Sequence, residues 1–261
     1  MKIDRKELLN IKDYQLEKDQ FFLLEFIAKD RNSLLYSDLA SYVIGKYEDG
    51  NTFWIWTKNA ISLKQLDFFQ RELRELITEK SSITCKKELY DLFFNSFKKN
   101  YSEIGFLTCK SLIPLKKKKG KFIQASLSDI FFLSKLYQEC ELEIEKEYVS
   151  DKSSISTIKH LIDQNSLYVL KDQDTIVCMA GYTILGDVAK ITMVYTPPKY
   201  RRLSYCKNLI YHLTEKLFKE KKRVILYTDY HYLPSNRAYQ SIGFQNEGIL
   251  VNFELEVDYE K

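Results

Sequence analysis

Tyr200-Arg201-Arg202-Leu203-Ser204-Tyr205-Cys206-Lys207 lies where an apolar strand, closed by Pro197-Pro198, runs into an amphipathic helix. A helix start presents several backbone N–H groups that have no partner within the helix. The helix dipole adds partial positive charge at the same point. Such a junction suits a phosphate or pyrophosphate, and Arg201, Arg202 and Lys207 add cations to it. The proline pair stops the strand and fixes the approach. Taken without their surroundings, the same residues equally read as basic decoration of an exposed helix start. Further on, Pro234-Ser235-Asn236-Arg237-Ala238-Tyr239 sets Asn236 and Tyr239 three apart, on one face of a short helix. Ser235 or Asn236 is the expected cap of that helix. A tyrosine hydroxyl titrates near about 10, so Tyr239 is protonated at pH 7 and able to give a proton to a leaving thiolate. The chain has 19 tyrosines, so one alone also reads as core, and the residues around it must supply the argument.

Other reactive side chains form no constellation. The five cysteines, Cys85, Cys109, Cys140, Cys178 and Cys206, are scattered without a C-x-x-C pair. They read as reduced thiols of a cytoplasmic protein rather than as zinc ligands or a disulfide framework. His160, His212 and His231 have neither metal nor triad spacing, and no metal site is expected. His212 is placed on an exposed helix face, and His231 just beyond a strand end. Glu141, Glu143 and Glu145 alternate in a segment that either lines an acceptor cleft or forms a charged surface. No general base stands out.

The elements that must position these residues are legible mainly in the second half. Ile130, Leu133, Leu136 and Tyr137 mark a helix over 127–139, and Ser153 or Ser154 caps a second one carrying Ile155, Ile158 and Leu161. Strands follow over 167–170 and 175–184, separated by the turn Lys171-Asp172-Gln173-Asp174. Gly186-Asp187 turns into a third strand on which Val188, Lys190, Thr192 and Val194 share a face. Leu209, Ile210, Leu213 and Leu217 stripe a helix over 201–220, then come strands over 224–227 and 251–257. The last alternates apolar and polar residues, a pattern that would also allow pairing across a dimer.

The first half is less ordered to the eye. A helix is expected over 17–30, a buried strand at Phe53-Trp54-Ile55-Trp56, helices over 62–78 and 86–98, and a strand over 104–112. Pro114 and Lys116-Lys117-Lys118-Lys119-Gly120 read as an exposed connection; a docking patch for RNA or anionic lipid is the alternative. At 261 residues two domains are expected. A composition 45% hydrophobic and 29% charged fits sizeable soluble cores, and a net charge of +4 leaves no footprint for nucleic acid. The charged start Met1-Lys2-Ile3-Asp4-Arg5 reads as no signal peptide, and no apolar run of about 18 residues follows.

With these elements in place, residues 126–257 resemble the GNAT acetyltransferases. The family's phosphate loop reads Arg or Gln, two variable residues, Gly, one variable residue, then Gly or Ala. Here it is Arg201-Arg202-Leu203-Ser204-Tyr205-Cys206. Arg201 matches, Ser204 stands in the place of the glycine, and Cys206 in that of the small residue. Tyr195-Thr196-Pro197-Pro198-Lys199-Tyr200 ahead of the loop is similar to one bacterial branch. So are Thr228-Asp229, Ser235-Asn236, Tyr239 and Gly243-Phe244, although that branch commonly has Asn-Pro where Tyr232-Leu233 stand.

The resemblance implies an α+β GNAT fold in two tandem GNAT-like domains: a degenerate one over 1–113, a basic linker over 114–125, and an acetyltransferase domain over 126–261. It implies acetyl-CoA as co-substrate, an unknown amine as acceptor, and a monomer or homodimer that uses no membrane or nucleic acid. The coenzyme would meet Met193, Val194 and Tyr195 at its pantetheine, residues Arg201 to Cys206 at its phosphates, and Asn236 along its arm. Tyr239 would be the general acid. A loop without glycine permits phosphate a less close approach, and Cys206 adds a sulfur where the pyrophosphate would pack. A fold that has lost catalysis and serves as an acyl-CoA-binding or scaffold module is therefore the second expectation. Transfer from an aminoacyl-tRNA is a third, supported only by the lysine run.

Overall fold

The computed structural model describes residues 1–59, 61–77, 80–94, 101–144 and 146–255. Its strands are β1 (Lys2–Ile3), β2 (Ser33–Ser37), β3 (Tyr42–Tyr47), β4 (Thr52–Thr57), β5 (Ser81–Lys86), β6 (Tyr101–Cys109), β7 (Lys121–Gln124), β8 (Leu167–Asp172), β9 (Thr175–Leu185), β10 (Val188–Tyr195), β11 (Arg223–Asp229) and β12 (Phe244–Leu255). Its helices are α1 (Arg5–Leu9), α2 (Lys12–Glu17), α3 (Phe22–Ile27), α4 (Leu63–Leu76), α5 (Lys87–Leu89), α6 (Ile130–Ile144), α7 (Asp151–Asp163), α8 (Tyr205–Lys219) and α9 (Leu233–Gln240). They group into two compact units. The first holds residues 1–106, 229–231 and 246–261, and the second holds residues 107–228 and 232–245.

In the first unit β2, β3 and β4 form an antiparallel meander, β4 runs parallel to β5, and β5 pairs antiparallel with Leu250–Leu255 of β12. Phe53, Trp54, Ile55 and Trp56 are all buried, as a central strand requires. Phe69, Leu73 and Ile77 of the α4 stripe close the core from one side. The helix expected over 17–30 is broken, because α2 stops at Glu17 and α3 starts at Phe22. The helix expected over 86–98 starts one residue later, as the short α5 continued by a π turn at Tyr90–Phe94, while 95–98 lie outside the described residues; the strand before it, β5, was not expected. Ile83, Thr84 and Cys85 are claimed by pairing on both sides, to β4 and to β12, and this overrides local pattern. The alternating end of the chain is thus a strand paired within the chain; Glu256 and Val257 lie outside the described residues.

In the second unit β7, β8, β9 and β10 are successively antiparallel, and β10 is parallel to β11 across α8. Leu209, Ile210, Leu213 and Leu217 of α8 pack on one face of this sheet with Val177, Ala189, Val224 and Leu226. Leu133 and Leu136 of α6 and Ile158 and Ile162 of α7 cover the other face with Val169 and Met179. Two caps differ from expectation. α7 is capped by Ser150, whose side chain accepts from the Ser153 N–H, so Ser153 and Ser154 lie inside the helix. α9 begins after Tyr232 with Pro234 in its first turn, where a missing N–H costs nothing, so Ser235 and Asn236 are helical residues rather than caps.

The two units share one succession: strand, helices, three antiparallel strands, helix, parallel strand. The connections leading into α4 and α8 nevertheless differ. Before α8, Arg202 and Ser204 adopt positive φ of 61° and 66°, in a chain segment with no glycine. That conformation costs roughly 1–2 kcal/mol for an L-residue.

Two substitutions test these backbone assignments by thermal or denaturant unfolding. Ser204→Gly removes the left-handed penalty at some cost in unfolded-state entropy and is expected to stabilise by about 0.5 kcal/mol, whereas Ser204→Val is expected to cost about 2 kcal/mol. At Gly243, φ is +112° and an added Cβ would stand 2.2 Å from the Ser111 carbonyl oxygen. Gly243→Ala is expected to destabilise by about 2 kcal/mol or more.

Candidate functional site

The site begins with a defect in β10. Its pairing with β9 slips between Thr192 and Tyr195, and Met193 takes φ 53°. Such a bulge reverses the alternation of side chains. Val194 therefore joins Ala189 and Ile191 on the α8 face, while Met193 and Tyr195 turn to the α6–α7 face. The single face expected for Val188, Lys190, Thr192 and Val194 is corrected accordingly. The registered pairs between β10 and β11 end at Ile191 and Leu226. Met193, Val194 and Tyr195 lie beyond the last of these pairs, at the end of β10.

Pro197 and a single 3-10 turn over Pro198–Tyr200 then carry the chain to α8. Ser204 is the N-cap residue, left-handed and without a side-chain cap hydrogen bond. The N–H groups of the first turn, from Tyr205 onward, thus lack the partner that a capping side chain would give. The start of α4 in the first unit is the opposite case. There Ser62 is extended, and Ser62 and Gln65 cap each other's backbone N–H.

Side chains around Ser204 sort into two groups. Arg201 is turned away from the helix start: its Nε donates to the Thr196 carbonyl at 2.8 Å and its Nη2 to Glu143 Oε2 at 2.6 Å. Glu143 is therefore the partner of the loop arginine, while Glu145 lies outside the described residues. Cys206 is half-buried, packs on the core and shares a hydrogen bond with the Cys178 thiol. Its sulfur lies inward instead of crowding a pyrophosphate. Tyr205 is buried and donates its hydroxyl to the Asp172 carboxylate, which raises its pKa. Leu203 is exposed.

α9 sets the remaining pair one turn apart. Asn236 is half-buried and Tyr239 is 5% exposed, packed against Phe244. Ser235 Oγ anchors the start of α9 to Thr228 Oγ1, 3.0 Å away at the end of β11. Burial holds the Tyr239 hydroxyl well above its ordinary pKa, and the neighbouring thiols of Cys206, Cys178 and Cys140 push it the same way.

Sequence reasoning missed three contributors. Glu139 accepts the Tyr195 hydroxyl at 3.2 Å, and burial together with this carboxylate pushes Tyr195 up to about 12. Glu139, Leu142, Glu143, Tyr195 and Pro198 line an open hollow beside the bulge. Lys190, one residue before the last registered β10–β11 pair, sits with its ammonium 5.3 Å from the Tyr227 ring centre, and burial lowers its pKa to about 8. Lys119 belongs to the run expected to be an exposed connection. Instead, its backbone N–H donates to Asn208 Oδ1 at 2.8 Å and its ammonium to the Leu203 carbonyl at 3.1 Å. The pattern i, i+3, i+4 exposes none of these, since each depends on a neighbour far off in sequence. Of the histidines, His212 is not exposed but packs against Phe122, and burial lowers its pKa. His231 pairs with Glu103 at 3.0 Å in the first unit.

The family model described as "Acetyltransferase (GNAT) family" matches residues 130–244, a span from the start of α6 to the start of β12. Solved structures agree in fold. A GNAT-family acetyltransferase from Colwellia psychrerythraea superposes with TM-score 0.61 at 10% identity, over 98% of this chain and 99% of its own. A GCN5-related N-acetyltransferase from Sphaerobacter thermophilus gives 0.62 at 11% identity, over 96% and 92%. One from Kribbella flavida gives 0.61 at 12% identity, over 93% and 95%. No curated relative matches the chain. The bulged strand and the uncapped start of α8 both fall inside the span that matches the GNAT acetyltransferase family model, and the α+β fold of this chain is that of the GNAT structures it superposes on.

Proposed function

We propose that the domain moves an acetyl group from acetyl-CoA to an amine acceptor by direct attack. The observation that carries this reading is the start of α8, whose first-turn N–H groups are left without a side-chain cap directly after a bulged strand. A coenzyme diphosphate satisfies that need, and its pantetheine is an extended chain able to pair with the backbone of Met193, Val194 and Tyr195. Arg202 and Lys207 add charge at the same end. Asn236, half-buried one turn before Tyr239 on the same face of α9, contacts the coenzyme arm. In the first unit the same connection is capped by its own Ser62 and Gln65, which supports assigning that unit no coenzyme.

In the reaction, the acceptor nitrogen attacks the thioester carbonyl carbon, the C–N bond forms and the C–S bond breaks. The sulfur takes the Tyr239 proton, the acceptor nitrogen gives its own to water, and Tyr239 is reprotonated from water once the products leave. Positioning of the two reactants supplies most of the rate. Among the described residues no helix is long and apolar enough to cross a membrane. Four buried free cysteines and a half-buried fifth fit a reducing compartment, so we place the activity in the cytoplasm.

A second reading, an acyl-CoA-binding module without turnover, draws on the strained Ser204 and the nearly closed surface of Tyr239. Calorimetric titration with acetyl-CoA, followed by an amine screen with thiol detection, separates the readings. Binding with turnover supports transfer, and binding without turnover on any amine leaves the module. Tyr239→Phe is expected to lower kcat about 100-fold with coenzyme affinity unchanged; an undiminished kcat removes Tyr239 from the chemistry. Because Tyr239 is held above its ordinary pKa, kcat of the unaltered protein is not expected to fall from loss of its proton below about pH 10. A pH profile whose alkaline limb lies lower and disappears in Tyr239→Phe would contradict this.

A further inference from the structure

Lys119 is fixed at the start of α8 by contacts on three sides. Gly120, next to it, has φ +70°, and an added Cβ would stand 2.7 Å from Leu170 Cγ, so the chain here is pressed onto β8. Asn208, 1% exposed, clamps two segments at once: its Oδ1 accepts the Lys119 N–H at 2.8 Å and its Nδ2 donates to the Ser204 carbonyl at 2.9 Å. The Lys119 ammonium meets the Leu203 carbonyl at 3.1 Å and lies 5.7 Å from the Tyr205 ring centre. Lys116, Lys117 and Lys118 are exposed, whereas Lys119 is half-buried.

We propose that Lys119 is a coenzyme-binding residue, its ammonium contacting the diphosphate oxygens of acyl-CoA at the α8 N-terminus. This rests on the acetyl-CoA reading above. An ammonium has three donors, and the Leu203 carbonyl occupies one of them. Arg201, the arginine that opens the loop, is held by Thr196 and Glu143, which leaves Arg202 and Lys207 as the loop's own free-standing charge. Lys119 enters from 84 residues upstream of Leu203 and adds to it. A charge delivered from outside the loop also offsets the longer approach that a loop without glycine imposes.

The test is calorimetric titration of the full chain with acetyl-CoA and with 3′-dephospho-CoA. Lys119→Met keeps the backbone bond to Asn208 and is expected to leave the melting temperature unchanged while weakening acetyl-CoA binding about tenfold or more. Lys119→Arg is expected to retain most of the affinity. The loss should be equal for both ligands and smaller at high salt. Binding by Lys119→Met within about twofold of the unaltered protein overturns the proposal, as does a loss seen only when the 3′-phosphate is present. Should the unaltered chain bind no acetyl-CoA, the coenzyme reading itself fails, and this assignment with it.

Discussion

The second unit depends on backbone N–H groups that its own side chains do not cap at the start of α8. Helices ordinarily satisfy those donors with a Ser, Thr, Asp or Asn in extended conformation just ahead. Here a serine is present at the N-cap but is left-handed, and its hydroxyl makes no cap bond. The geometry is forced from upstream. Pro197 and Pro198 end β10 and direct the turn, and Arg201 is tied back to Thr196 and across to Glu143. Two positive-φ residues then bring the chain into the helix. Backbone strain kept at one point is what the proposed ligand site would require.

The two units make this argument by contrast. Both pass from the third strand of a meander through a helix to a parallel strand, so topology alone would give both an anion site. The difference lies in a few atoms. Ser62 at φ −75° turns its hydroxyl to the Gln65 N–H, and the Gln65 side chain returns to the Ser62 N–H. The same residue type at φ 66° does neither. The first unit instead puts its polar investment into its interior. Lys86, nearly buried, bonds Glu17 and Asn59, and Trp56 Nε1 donates to the same glutamate at 2.5 Å. Buried charges in such a network are paired because an isolated one would be costly.

How much of this was legible follows from the range of each interaction. The order β8, β9, β10, α8, β11 was readable because apolar periodicity and turn residues act within a few positions. The proline stop after Tyr195 and the one-turn spacing of Asn236 and Tyr239 were readable for the same reason. β5 was not, since Ile83 to Cys85 is made a strand by β4 and β12 on either side. The cap of α9 was misplaced because Pro234 tolerates a position inside the first turn, and that of α7 because Ser150 precedes two other serines. The tertiary partners of Arg201 and Lys119 were not legible. Arg201 is drawn off by Glu143, 58 residues away, and Lys119 is brought in by Asn208, 89 residues away.

The surroundings of Tyr239 bear on how a thiolate would leave there on the proposed mechanism. Burial raises the Cys178 thiol well above its ordinary pKa, so this part of the interior disfavours a charged sulfur. A coenzyme sulfur departing beside Tyr239 would meet the same penalty, and its thiolate would be correspondingly basic. Tyr239, raised by the same desolvation, is a weaker acid than a free tyrosine. Proton transfer depends on the difference between donor and acceptor, not on either value alone. A shared low-dielectric environment shifts both in one direction and keeps them matched. On the proposed mechanism it would also make donation more necessary, because the alternative to a proton is a bare thiolate in a dry interior. A phenol fits that place better than a carboxylic acid or an imidazolium, each of which would have to carry or lose a charge in the same dry interior.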